Sequence, residues 1–129
     1  MLLIKQHRIY RKDIQANPRI LYIFGDNLDR VGMGGQAAEM RGESNSFGFA
    51  TKMSLGHGED DLMYDTNPLH KAVIQSELFN LKKVLDSDDY DAVVWPLDGI
   101  GTGLAMMQVT APELLQYLTE EIHSLVKQA

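Results

Sequence analysis

Apolar residues are arranged in two ways along this chain: short unbroken runs, and longer stretches in which they recur every three or four positions. Ile20-Leu21-Tyr22-Ile23-Phe24 is an unbroken run that follows Asn17-Pro18 and ends at Gly25-Asp26-Asn27. Such a run suits a strand buried on both faces. Tyr90 to Trp95, stopped by Pro96, predicts a second interior strand, and Leu2 to Ile9 and Ser46 to Ala50 predict two more. From Pro68 onward, Leu69, Ala72, Val73, Leu78, Leu81, Val84 and Leu85 recur mainly at three and four, which predicts a helix with that face buried. The tail from Thr110 has an N-cap hydroxyl, Pro112 in the first turn and Glu113 third, then Leu114, Leu115, Leu118, Ile122 and Leu125 on one face. Arg11 to Ala16 predicts one short turn of helix, Met33 or Gly34 to Arg41 a helix stopped at Gly42, and Thr51 to Asn67 a long loop. Strands alternating with helices predict a single α/β domain of three layers, α/β/α, around a mixed, mostly parallel sheet.

In such sheets ligands bind beyond the strand C-termini, so the residues just after each strand carry the functional information. After Phe24 the chain runs Gly25-Asp26-Asn27-Leu28-Asp29-Arg30-Val31-Gly32-Met33-Gly34-Gly35-Gln36, and after Trp95 it runs Pro96-Leu97-Asp98-Gly99-Ile100-Gly101-Thr102-Gly103-Leu104. Glycines let a backbone pass close to a ligand, and successive N–H groups in such loops form anion-binding concavities. Each loop alone could be a tight turn; two of them, brought to the same sheet edge, point to a phosphate-bearing ligand. Seven of the 11 glycines lie in these loops, and none falls before Gly25 or after Gly103. No glycine is followed by lysine, which excludes a P-loop. Gly32-x-Gly34-x-x-Ala37 matches the Rossmann fingerprint literally, but it starts seven residues beyond the strand and no acidic residue ends a strand about 20 positions on, where Ser54 to His57 lie.

Composition changes the picture in three places. With 129 residues there is room for one domain and not two. The absence of cysteine removes disulfides, thiolate metal sites and cysteine nucleophiles. The formal charge of -6 is uneven: residues 1–58 carry eight Lys and Arg against five Asp and Glu, and residues 59–129 carry four against thirteen. That balance argues against non-specific nucleic-acid binding, but not against a small diphosphate held by backbone amides. The acidic runs Glu59-Asp60-Asp61 with Asp65, and Asp86-Ser87-Asp88-Asp89 with Asp91, read as solvated loops, without the spacing of a calcium loop. No segment has the length of a membrane span or the form of a secretory signal, so a cytoplasmic protein is expected.

Asn27, the Gly32-Met33-Gly34-Gly35 loop and Val93-Val94-Trp95-Pro96-Leu97-Asp98-Gly99-Ile100-Gly101-Thr102-Gly103 resemble, in order, the elements of the macro domains, which bind ADP-ribose and related nucleotides. Lys12-Asp13-Ile14-Gln15 is similar in place to that family's Gly-Asp-Ile-Thr segment, though only the Asp-Ile pair is kept. The stretch from Phe24 to Glu43 with Thr51-Lys52 also resembles small stand-alone macro-like proteins of viral or bacterial origin. The resemblance implies that Asp13 and Ile14 contact adenine, that Asn27 contacts ribose, that Gly34, Gly35 and Gln36 face the distal ribose and nearby phosphate, and that Gly99, Ile100, Gly101, Thr102, Gly103 and Leu104 cradle the diphosphate. No metal and no further cofactor is implied.

Departures from that pattern leave the activity open. One hydrolytic class carries an Asp and a His after the glycine loop, where this chain has Gln36 to Arg41. Another uses adjacent glutamates, whereas Glu39 and Glu43 are separated and read as a solvated helix face. Asp26 and Asn27 are the candidate catalytic residues, with turn-holding through backbone N–H groups as the favoured alternative for Asp26. His57 is a solvated loop residue within reach of a ligand, Trp95 is core, and Phe47, Phe49 and Tyr64 are candidates to cover a base. Three functions follow: a hydrolase of an ADP-ribosyl linkage on a modified macromolecule or of ADP-ribose phosphate, a non-enzymatic sensor of NAD-derived nucleotides, or an interaction protein that has lost the site.

Overall fold

The two unbroken apolar runs become the inner strands of one four-stranded sheet. The computed structural model describes residues 1–129, in the order β1 (Leu2–Gln6), α1 (Arg11–Ala16), β2 (Ile20–Asn27), α2 (Ala37–Met40), β3 (Ser46–Lys52), α3 (Pro68–Leu85), β4 (Ala92–Pro96), α4 (Met107–Thr110) and α5 (Pro112–Gln128). The sheet order is β1-β4-β2-β3, and all three strand pairings are parallel. No antiparallel strand joins them, because every connection is long enough to cross back over a face of the sheet. All four C-terminal strand ends therefore open onto the same edge.

Alternation along the strands separates two cores. Leu21, Ile23, Phe49, Val93 and Trp95 face α3 and α5, and on the other side Tyr22, Phe24 and Val94 pack with Ile9, Ile14 of α1, and Ala37 and Met40 of α2. The domain is thus a single α/β unit with helices on both faces. No helix is long and apolar enough to cross a membrane.

Several elements differ from their sequence-based bounds, each for a local reason. The second helix begins only at Ala37 because Gly35 has φ of +56°, outside the helical region. In α3 the buried face runs through His70, Ile74, Glu77, Leu78, Leu81 and Leu85, whereas Leu69 is 60% exposed. Thr110 does not cap α5, since it ends α4. The Asp65 carboxylate takes that place, accepting the N–H groups of Glu113 at 3.0 Å and Leu114 at 2.8 Å. Asp61, in the same acidic run, accepts the Ser54 hydroxyl and the Gly58 N–H at 2.9 Å, which holds its carboxyl below the usual carboxylate range. Asp91 is held down likewise by the two-pronged Arg19 guanidinium, at 2.9 Å to each oxygen. These carboxylates hold turns and helix ends in addition to facing water.

Candidate functional site

The shared edge of the sheet is a cleft of about 660 Å³, floored by the ends of β2, β3 and β4 and walled by the loops that follow them. Asp26, Asn27, Gly34, Gly35, Gln36 and the whole run from Gly99 to Leu104 line it. Asp13 and Ile14 do not. Ile14 is fully buried in the smaller core, and Asp13 closes the first turn of α1 by accepting the Tyr10 N–H at 3.0 Å and the Gln6 amide at 3.3 Å. Both belong to α1, Ile14 in its packing and Asp13 at its cap, outside the residues that line the cleft.

The loop after β4 turns its carbonyls into the protein. Asp98 O accepts the Thr102 hydroxyl at 3.1 Å, Gly101 O the Met107 N–H at 2.8 Å, Thr102 O the Gln108 amide at 3.0 Å, and Gly103 O the Met106 N–H at 3.1 Å. The N–H groups from Ile100 to Leu104 donate to nothing within the chain. Left-handed φ at Gly99 (+77°) and Gly101 (+83°), with none at Ile100 between them, is the alternation that makes successive N–H groups converge. Gly25 lies against this loop, where a Cβ would make ordinary contact with Gly101 N at 3.5 Å.

The loop after β2 repeats this logic. Val31 O accepts the Asn27 side-chain amide at 2.9 Å, Gly32 O accepts Arg41 Nε at 2.8 Å, and Gly34 O accepts the Ala37 N–H at 3.3 Å. The N–H groups from Val31 to Gln36 have no acceptor in the chain. Two runs of backbone donors without acceptors in the chain thus belong to loops that line the same cleft.

The side chains divide by role. Asp26 binds Arg41 through both oxygens, at 2.6 and 3.1 Å, and accepts the Asn27 N–H at 2.8 Å. Arg30 stands 3.8 Å away. With its oxygens taken up in this way, Asp26 holds the strand end and the loop. A register shift between Asp26 and Asn27 pairs Asn27 with Lys52 and buries both consecutive residues. Asn27 Oδ1 and Gln36 Oε1 are buried without a donor. Buried acceptors without a donor cost free energy, and both side chains lie in the wall of the cleft.

Lys52, which the sequence offers only within the Thr51-Lys52 resemblance and with no role, is a further residue of the site. It is 7% exposed, lines the cleft, and donates to Leu55 O at 2.9 Å with no carboxylate paired to it. Its place directly after an apolar run, at the C-terminal end of a parallel strand, is the available signal. His57 lines the cleft as an exposed loop residue, and His7, which sequence gave no role, lines it as well. No Phe, Tyr or Trp does. Phe49 is fully buried and Phe47 packs against the same core, because strand alternation turns both toward α3 and α5. Tyr64 lies by a separate depression with Asp65, Lys71 and Tyr117. Trp95 is core, edge-on to His123 at 5.2 Å between centroids. The apolar walls are Val31, Leu55, Leu97 and Leu104. Glu39 and Glu43 point away to α1, where they accept the Arg11 N–H at 2.7 Å and the Arg11 guanidinium at 2.5 Å.

Residues 4–121 match a family model described as "Family of unknown function (DUF7831)", and the chain belongs to that family. Neither a curated protein nor a solved structure matches it.

Proposed function

We propose that this DUF7831 protein binds ADP-ribose or a related NAD-derived nucleotide in the cleft, with the diphosphate between the two glycine loops. The observation that carries the reading is the pair of unpaired N–H runs, Val31 to Gln36 and Ile100 to Leu104, in two loops that line one cavity. Oriented backbone donors hold phosphate oxygens without a cationic side chain for each charge. The buried Lys52 ammonium adds one positive charge, with no carboxylate in ion-pair contact. The Asn27 and Gln36 side chains lie in the wall of the same cleft. The volume falls within the range of about 300–1,000 Å³ usual for small-molecule sites. The choice of ADP-ribose among diphosphates rests on the macro-domain resemblance of the two loops, and a cytoplasmic location goes with it.

Titration calorimetry with ADP-ribose tests the reading. Saturable binding is expected, abolished by Gly103→Glu, whose side chain has open space and sets a negative charge beside the phosphate donors; absence of binding at millimolar ligand would sink it.

Hydrolysis is a second reading, and Lys52 favours it. Asp26 is paired with Arg41, so no free buried carboxylate stands ready as a base, but Lys52, once its ammonium has given one proton to solvent water, is an amine that can attack an anomeric carbon. The bond to the modified macromolecule then breaks, the leaving group takes the proton the amine loses, and water releases the sugar and restores the lysine. Lys52→Arg keeps the charge and should keep binding while losing release of ADP-ribose from a modified protein or nucleic acid. Binding without release in the wild type instead supports a sensor.

A further inference from the structure

The helix face of α3 that packs on the sheet contains a glutamate. Glu77 is 3% exposed, and one oxygen accepts both the Ala50 N–H of β3 at 2.6 Å and an Arg30 guanidinium nitrogen at 2.5 Å. A second Arg30 nitrogen donates to Gly48 O at 2.6 Å and lies 3.8 Å from Asp26. Arg30 belongs to the loop between β2 and α2, and reaches these partners with φ of +57°, a conformation that side-chain-bearing residues avoid. Buried ion pairs are poor sources of net stability compared with apolar packing, and backbone strain persists where surrounding contacts impose it. Neither feature is needed to close the sheet.

We propose that Arg30 and Glu77 are positioning residues that strap the loop Val31–Gln36 to β3 and α3 and fix its N–H groups in the anion-binding arrangement. Arg41 ties the far side of the same loop through Gly32 O and Asp26. The loop is thereby held from both sides while its own donors stay free. For its effect on affinity the inference rests on the nucleotide reading of the cleft; for its effect on the loop it does not.

Nitrogen-15 relaxation on the ligand-free protein therefore comes first, with Arg30→Ala and with Glu77→Gln, which keeps an acceptor for Ala50. Order parameters of residues 31–36 should drop from about 0.85 toward 0.6 in both variants, with those of residues 100–104 unchanged. The dissociation constant for ADP-ribose should then rise about tenfold, with partial recovery in Arg30→Lys. Arg19→Ala, which breaks an exposed ion pair with Asp91, should change neither. A loop that stays ordered in both variants overturns the proposal, as does a loosened loop that binds as well as the wild type. A wild type that fails to bind ADP-ribose sinks the nucleotide reading alone, and the relaxation result still decides the strap.

Discussion

Gly101 and Gly103 sit two residues apart in one loop and differ in what a methyl group would meet. At Gly101 the backbone is left-handed, and a Cβ would stand 2.8 Å from Met107 Sδ and 3.3 Å from Leu115 Cδ1. At Gly103 nothing lies within 4 Å and φ carries no such demand. Gly101→Ala should therefore lower stability by about 1–2 kcal/mol in urea denaturation. Gly103→Ala should stay within about 0.5 kcal/mol of the wild type. A side chain at Gly101 turns toward Met107 and Leu115, whereas one at Gly103 enters open space, so Gly103→Ala is the variant that should weaken ADP-ribose binding in calorimetry without loss of stability; unchanged binding there would remove that residue from the site. These glycines were legible in the sequence because the need for close approach and positive φ leaves its mark on residue type. The roles of Lys52, Arg30 and Glu77 were not, since a charged side chain reads the same whether it is half-exposed, as Arg30 is, or under 10% exposed, as Lys52 and Glu77 are.

Among elements, legibility followed burial. Strands β2 and β4, apolar on both faces, were read as interior strands and are interior. Faces were harder to assign: α3 buries Glu77 and exposes Leu69 because a specific partner, Arg30, satisfies the one, and the helix start leaves the other over water. The cap of α5 shows the limit most clearly. A local pattern pointed to Thr110, while the chain caps the helix from Asp65, 48 residues before Glu113, which no local pattern reveals. Asp65→Ala removes two hydrogen bonds and a negative charge at the helix start, and should cost about 0.5–2 kcal/mol. Asp65→Asn keeps an acceptor and should cost less. Equal stability of Asp65→Ala and wild type in urea denaturation would mean that the N-terminus of α5 is satisfied by water.

Over the whole molecule, the two acidic runs suggest a protein whose acid sensitivity comes from carboxylates, yet the first protons to matter go elsewhere. Burial pushes His70 and His123 below the ordinary histidine value, and Lys5 pushes His123 further. His70 Nδ1 also accepts the Tyr64 N–H at 2.9 Å, a bond that needs the nitrogen unprotonated, and His123 Nε2 is buried against no acceptor. Between the lowered folded values and the unfolded value of about 6.5, the unfolded chain binds more protons. Stability therefore rises with pH across that window and is lost as pH falls through it. Asp61 and Asp91, whose values are lowered, withdraw their contributions only further down, below about pH 4. Thermal melts should accordingly show a fall in midpoint between about pH 7.5 and pH 5.5, before any carboxylate is protonated. His123→Leu should flatten that fall by removing one titrating group, and His70→Gln, which retains an acceptor for Tyr64, should do so independently. A midpoint that holds steady to about pH 5 in the wild type would show that neither histidine is titrated differently by folding, and would return the acid response of the molecule to its carboxylates.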